Sequence, residues 1–236
     1  MFKQEDIGKI FSPEEIRIKL VEEIISRSKT KDLFMVGISG LDASGKSVLA
    51  EELKEALENN GLKVLLVSGD SFQFPPELKN DLVEGSWAEQ HYKRTINFQK
   101  MVDEFLIPLT SKPEEIKLDL VEFGSGRVIN KIVNLNYPLV VIVESIYLLK
   151  KSLIEYFDFK VFLDISIETS LSRAKARKRD LELYGDELGV EQKYSKKNFP
   201  GYQLYQQLDN PKQSADLVID ANNWAELRLE TINLSK

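Results

Sequence analysis

Residues Gly40-Leu41-Asp42-Ala43-Ser44-Gly45-Lys46-Ser47 match the pattern Gly-x-x-x-x-Gly-Lys-Ser/Thr, and they stand between an apolar run and an amphipathic one. No other stretch constrains the fold as much, because this pattern needs a buried strand before it and the first turn of a helix after it. Leu33-Phe34-Met35-Val36-Gly37-Ile38 has the unbroken apolar character of such a strand. From Ser47 to Glu58, Val48, Leu49, Leu53 and Leu57 recur at helical spacing. The glycines let backbone N–H groups turn inward around a β-phosphate at the positive end of the helix. Lys46 can then reach the β- and γ-phosphates, and the Ser47 hydroxyl can bind Mg²⁺. Gly40, Asp42, Ala43, Ser44, Gly45, Lys46, Ser47 and Val48 are therefore the expected nucleotide-binding residues. The expected ligands are a nucleoside triphosphate, taken here as ATP, and Mg²⁺.

A chain of 236 residues can bury a core of its own and is expected to form one domain with a small insertion. Its 42% hydrophobic and 30% charged residues are ordinary for a soluble globular protein and argue against general disorder. A net charge of -6 without a basic block argues against a polynucleotide partner. The absence of cysteine excludes disulfides, thiolate zinc sites and thiol nucleophiles. Met1 to Asp6 lacks an apolar signal core, and no apolar run approaches the ~20 residues of a membrane span. A cytoplasmic protein with no membrane partner is expected, and a homo-oligomer is left open.

Ser12-Pro13-Glu14-Glu15 opens a helix with a capping box and a proline at its first position, followed by Ile16, Leu20, Val21, Ile24 and Ile25 on one face. After the loop helix, Asn59-Asn60-Gly61 is a stop signal. Val64–Val67, Leu139–Val143, Val161–Asp164 and Leu217–Asp220 then read as further buried strands. Continuous apolar strands alternating with helices imply a doubly wound α/β fold, here a five-stranded parallel sheet covered on both faces. Within a single domain over residues 1–236, residues 1–30 supply an N-terminal helix, 70–135 an acceptor-side insertion and 166–200 a lid-like region. Phe72 to Asn97, with Pro75-Pro76 and His91, reads as a long substrate-side loop. Lys117 to Val133 alternates around Phe123-Gly124-Ser125-Gly126-Arg127 and reads as an inserted β-hairpin.

Two of the apolar strands end in an acid, Asp70 and Glu144, and both should emerge at the carboxyl edge of the sheet, where ligands bind in such folds. One carboxylate there can hold Mg²⁺ and another can accept a proton from an attacking hydroxyl; the residues alone do not say which does which. Ser166 to Tyr184 has a helical pattern and carries Arg173, Lys175, Arg177, Lys178 and Arg179. On one helix Arg173 and Arg177 would share a face, and these cations could close over a triphosphate. The competing reading is a solvated face offset by Asp180, Glu182, Asp186 and Glu187. His91 and Tyr92, together with Phe72, are candidate acceptor contacts. Phe199, Tyr202 and Tyr205 read as core packing.

Taken in order, Gly40–Ser47, Ser68-Gly69-Asp70-Ser71-Phe72, Val141-Ile142-Val143-Glu144-Ser145, Phe159–Asp164 leading to Arg173 and Arg179-Asp180, and Ala215–Asp220 resemble the uridine kinase family of P-loop kinases. Phosphoribulokinase and bacterial pantothenate kinase are more distant members of the same group. The resemblance spans residues 33 to 220. It implies that Asp70 is the base for the acceptor 5′-hydroxyl and that Glu144 helps to hold Mg²⁺. Lys46, from the loop's spacing, and Arg173 and Arg179, from the local density of cations, are the candidates to serve the phosphoryl group. The resemblance also implies that the third apolar strand lies beside the first, with the second at the edge.

The chain also departs from that family's pattern, most of all at the acceptor side. Glu-Gly becomes Glu144-Ser145, Asn-Phe-Asp becomes Asn97-Phe98-Gln99, and the Tyr-Asp-x-x-Thr-His-x-Arg hairpin has no counterpart in Leu118–Phe123. The resemblance therefore implies an ATP-dependent phosphotransferase with uridine or cytidine as leading acceptor. The alternatives are another hydroxylated metabolite, such as pantothenate or a sugar phosphate, and a non-kinase ATP-dependent switch. Asp70 favours a kinase, because a switch needs a residue that orients water instead.

Overall fold

The computed structural model describes residues 1–75, 85–122 and 124–233. Pro76 of the expected loop and Phe123 of the expected hairpin turn lie outside the described residues. The chain divides into two compact units, one of Met1–Ser68, Leu135–Ile165 and Pro211–Lys236, the other of Gly69–Asn134 and Ser166–Asn210.

The first unit is built on a seven-stranded sheet in the order β1-β9-β8-β7-β2-β6-β3. Its parallel centre comprises β2 (Leu33–Gly40), β3 (Val64–Ser68), β6 (Leu139–Ser145), β7 (Phe159–Asp164) and β8 (Leu217–Asp220). These are the five strands the apolar runs predict. As expected, β6 lies beside β2 and β3 takes the edge. Every residue of β6 is buried, and so is all of β2 after Leu33, which is why both read as continuous apolar runs rather than alternating ones.

Two antiparallel strands extend the sheet beyond the expected five: β1 (Ile10–Phe11) pairs with β9 (Leu227–Ile232), and β9 with β8. β1 is too short to carry any periodicity. β9 does alternate, with Leu227, Leu229 and Ile232 buried and Arg228 and Glu230 toward solvent, as an antiparallel strand near a sheet edge should.

Helix α1 (Pro13–Ser28) starts where the capping box places it: the Glu15 amide donates to Ser12 Oγ at 3.2 Å, and the Ser12 amide to Glu15 Oε2 at 2.7 Å. Its face of Ile16, Leu20, Val21 and Ile24 is buried, and it packs on β2 and on α2 (Lys46–Asn59). Each fully buried side chain of this kind contributes roughly 1.5–3 kcal/mol. Among the described residues, no helix is long and apolar enough to cross a membrane.

The second unit holds the hairpin of β4 (Glu115–Val121) and β5 (Val128–Asn134), paired from Glu115↔Asn134 to Val121↔Val128. Two expectations are corrected here. The long loop from Phe72 to Asn97 contains a helix, α3 (Trp87–Arg94), opened by a second capping box between Ser86 and Glu89, so His91 and Tyr92 are helical residues. The continuous helix from Ser166 to Tyr184 is two helices, α4 (Ile167–Ala176) and α5 (Lys178–Tyr184). Between them Arg177 is extended, at φ -85° and ψ 120°, so Arg173 and Arg177 do not share a helix face. The Arg177 guanidinium lies 3.5 Å from the Asp180 carboxylate, which is buried and also accepts from the Tyr194 hydroxyl at 3.3 Å. A buried carboxylate in the first turn of α5 needs such partners, and Asp180 is therefore no solvent-facing counter-charge.

Candidate active site

The phosphate loop leaves the carboxyl end of β2 and enters α2 at Lys46, as its strand-loop-helix context predicts. Gly45 precedes the helix at φ +98°, a left-handed conformation that side chains resist. The constraint at Gly40 is spatial. A Cβ there would stand 2.4 Å from the backbone oxygen of Leu163 and 2.7 Å from Ser44 Oγ. Gly40 and Leu163 are register partners of β2 and β7, so neither backbone can yield without breaking the pairing. Gly40→Ala is therefore expected to destabilise the protein by about 1–3 kcal/mol, as overpacking usually does. A urea midpoint equal to that of the wild type would contradict this.

Lys46 is 8% exposed, and its Nζ donates to the Leu41 carbonyl at 2.8 Å. The Ser44 hydroxyl is fully buried and has no hydrogen-bond partner among the described residues. An orphaned hydroxyl, a lysine held against its own loop and a turn too tight for a Cβ fit a group rich in anionic oxygens. Ser47 is exposed in the first turn of α2, as is Val48 beside it. Asp42 and Ala43 are half-buried in the turn, Ala43 at φ +60°. The six-membered ring of Trp224, from the segment after β8, is close enough to Gly45 that a Cβ there would meet it at 2.4 Å.

Glu144 is 6% exposed near the carboxyl end of β6 and accepts a hydrogen bond from Ser68 Oγ at 2.5 Å. Ser47 and Glu144 offer the hard oxygen ligands Mg²⁺ prefers. The described residues contain no cluster of three or more His, Cys, Asp or Glu side chains placed to hold a metal. Mg²⁺ commonly takes only one or two protein ligands, the rest coming from water and phosphate.

In the second unit, Asp70 is half-buried in the 3₁₀ turn Gly69–Phe72, two residues after the end of β3. Phe72 is 1% exposed and packs on Phe105, ring centroids 6.0 Å apart, while its carbonyl accepts from the Asn97 amide at 2.8 Å. His91 is buried. The Tyr92 hydroxyl donates to Asp209 Oδ2 at 2.5 Å, and burial together with that carboxylate pushes the phenol well above its ordinary pKa. Tyr92 thus ties α3 to the helix Phe199–Asp209, whose Phe199, Tyr202 and Tyr205 are core residues, as expected. Arg173 is half-buried in α4, where burial lowers its pKa; Arg179 is exposed in α5. The first unit brings Gly40–Val48 and Glu144 to one edge of one sheet. The second carries Asp70, His91, Tyr92, Arg173 and Arg179 on four separate elements. Ser68, which appears in the sequence only as part of the Ser68–Phe72 segment and with no role of its own, and Trp224 are additions to the expected site.

A parallel sheet whose central strand runs through this loop into a helix, with a strand-terminal acid at the same edge, defines a P-loop nucleotide-binding protein of the kinase type. The chain belongs to the phosphoribulokinase/uridine kinase family, whose model matches residues 35–226. It is 28% identical over 194 residues to uridine-cytidine kinase B of Dictyostelium discoideum, a match covering 81% of this chain and 76% of that one. A solved structure of a possible uridine kinase from Bacillus stearothermophilus superposes with a TM-score of 0.69 at 19% identity, covering 87% of this chain and 98% of that one. D-glycerate 3-kinase from Cryptococcus neoformans superposes with a TM-score of 0.57 at 13% identity, covering 88% and 94%. At these identities the two structures speak for the fold alone.

Proposed function

We propose that the chain is an ATP- and Mg²⁺-dependent small-molecule kinase and that its two units act as one catalytic domain. The leading acceptor is the 5′-hydroxyl of a pyrimidine nucleoside, uridine or cytidine. The observation that carries the nucleotide-binding half of this reading is the phosphate loop itself, with Lys46, the orphaned Ser44 hydroxyl and the Gly40 close approach on one turn, and Asp70 in the turn after β3 favours transfer to an acceptor over a switch.

In this reading the loop amides and Ser44 bind phosphate oxygens, and Lys46 exchanges the Leu41 carbonyl for the transferring phosphoryl group. Bound Mg²⁺ would neutralise charge on the β- and γ-phosphates; Ser47 and Glu144 are the residues to hold it. Asp70 accepts the proton of the acceptor hydroxyl as that oxygen bonds to the γ-phosphorus and the bond to the ADP oxygen breaks. Arg173 and Arg179 supply guanidinium groups from a lid-like segment. Phe72 shapes the acceptor side from within the core, and His91 and Tyr92 do so through α3.

A specific observation favours a second acceptor class. Where the family resemblance would require a nucleoside-recognising hairpin, Ile116, Leu118 and Leu120 of β4 are buried, and Asp119 is bonded to Asn130 across the hairpin. A hydroxylated metabolite other than a nucleoside is the reading those side chains support. Thermal-shift titration with nucleosides, pantothenate and sugar phosphates, with and without Mg-ATP, followed by product analysis, separates the two. Uridine or cytidine should stabilise the protein and yield its monophosphate. If only another metabolite is phosphorylated, the nucleoside assignment falls. If no acceptor is consumed while ATP is slowly hydrolysed, the kinase reading gives way to the switch.

A further inference from the structure

We propose that Ser68 is a positioning residue that fixes the Glu144 carboxylate for its metal. The inference rests on the reading above that Glu144 helps to hold Mg²⁺. Ser68 is the last residue of the edge strand β3, and Glu144 is its direct register partner on β6. Partners across a parallel pair project to the same face of the sheet, so the short serine and the long glutamate meet there. The Ser68 hydroxyl donates to Glu144 Oε1 at 2.5 Å, in the range of a charge-assisted O–H···O⁻ bond. An ionised carboxylate can only accept, so this hydroxyl must be the donor.

The bond ties one oxygen and leaves the other. Among the described residues Oε2 receives no hydrogen bond, although the residue is buried. A buried carboxylate with one oxygen fixed and the second open is the arrangement a hard cation or its water requires. Without the hydroxyl, the Glu144 side chain could rotate between rotamers, and each metal-binding event would have to order it again.

The test uses the full chain and its Ser68→Ala, Ser68→Thr and Glu144→Gln variants. Mn²⁺ binding in the presence of saturating ADP is measured by loss of the free-Mn²⁺ electron paramagnetic resonance signal, and ADP binding in EDTA is measured separately. Ser68→Ala should weaken Mn²⁺ binding about 10-fold, the lower end of the usual effect of a group that orients a ligand. It should leave metal-free ADP binding unchanged, and Ser68→Thr should restore the wild-type value because it keeps the hydroxyl. Wild-type Mn²⁺ affinity in Ser68→Ala, alongside a loss in Glu144→Gln, overturns the positioning role while sparing the metal reading of Glu144. Unchanged affinity in both variants overturns the two together. An equal loss of metal-free ADP binding in Ser68→Ala also overturns the proposal, because Ser68 would then act on the loop rather than on the carboxylate.

Discussion

Lys46→Ala should lower ATP-dependent phosphoryl transfer by about 10²-fold or more, the cost of a few kcal/mol of lost transition-state stabilisation. The lysine is held inside the loop by the Leu41 carbonyl at 2.8 Å, so its ammonium is already oriented and needs little ordering when a triphosphate arrives. Alanine keeps the helical start of α2 and removes only the charge and its stem. The Leu41 carbonyl loses one donor, which costs about 1 kcal/mol, a small part of the usual 5–15 kcal/mol of folding stability. The variant should therefore remain folded by circular dichroism while product formation nearly stops. A variant that turns over at the wild-type rate would remove the loop from the chemistry.

Asp70→Asn should leave ATP binding in place and slow acceptor phosphorylation by roughly 10²–10⁴-fold, the usual contribution of a general base. The substitution keeps the shape of a half-buried side chain in the Gly69–Phe72 turn and removes its capacity to take a proton. Its signature is a fall in kcat with the apparent affinity for ATP unchanged, because an interaction made only in the transition state has been lost. An equal loss of ATP binding would instead make Asp70 part of the nucleotide site, and an unchanged kcat would leave the base to be found elsewhere. Comparing nucleosides with other acceptors in the same assay keeps the base and the identity of the acceptor as separate questions.

The centre of the sheet was legible because β2 and β6 are buried on both faces, so Leu33–Gly40 and Leu139–Ser145 announce themselves without their neighbours. The phosphate loop was legible because its function fixes residue types at fixed spacing. What escaped depends on partners distant in sequence. The bond between Ser68 and Glu144 exists only once β3 and β6 are in register, and nothing local to either residue implies it. The break at Arg177 carries neither glycine nor proline. It sits beside the pairing of Arg177 with the buried Asp180, which looks like any surface acid in the sequence. Helix α3 is a different case. Ser86-Trp87-Ala88-Glu89 repeats the signature that located α1, but Pro75, Pro76 and Gly85 dominated the reading of that stretch.

The contact of Trp224 with Gly45 bears on when the protein can work as well as where. The turn that would receive phosphate is made by residues 40–47, yet one wall of it is an indole nearly 180 positions later in the chain. β1 likewise waits for β9, with Ile10 paired to Arg228. Such closures are late events, because the chain entropy of joining distant segments must be overcome before their contacts repay it. A growing chain on the ribosome therefore carries residues 40–47 long before it carries the indole that walls their turn.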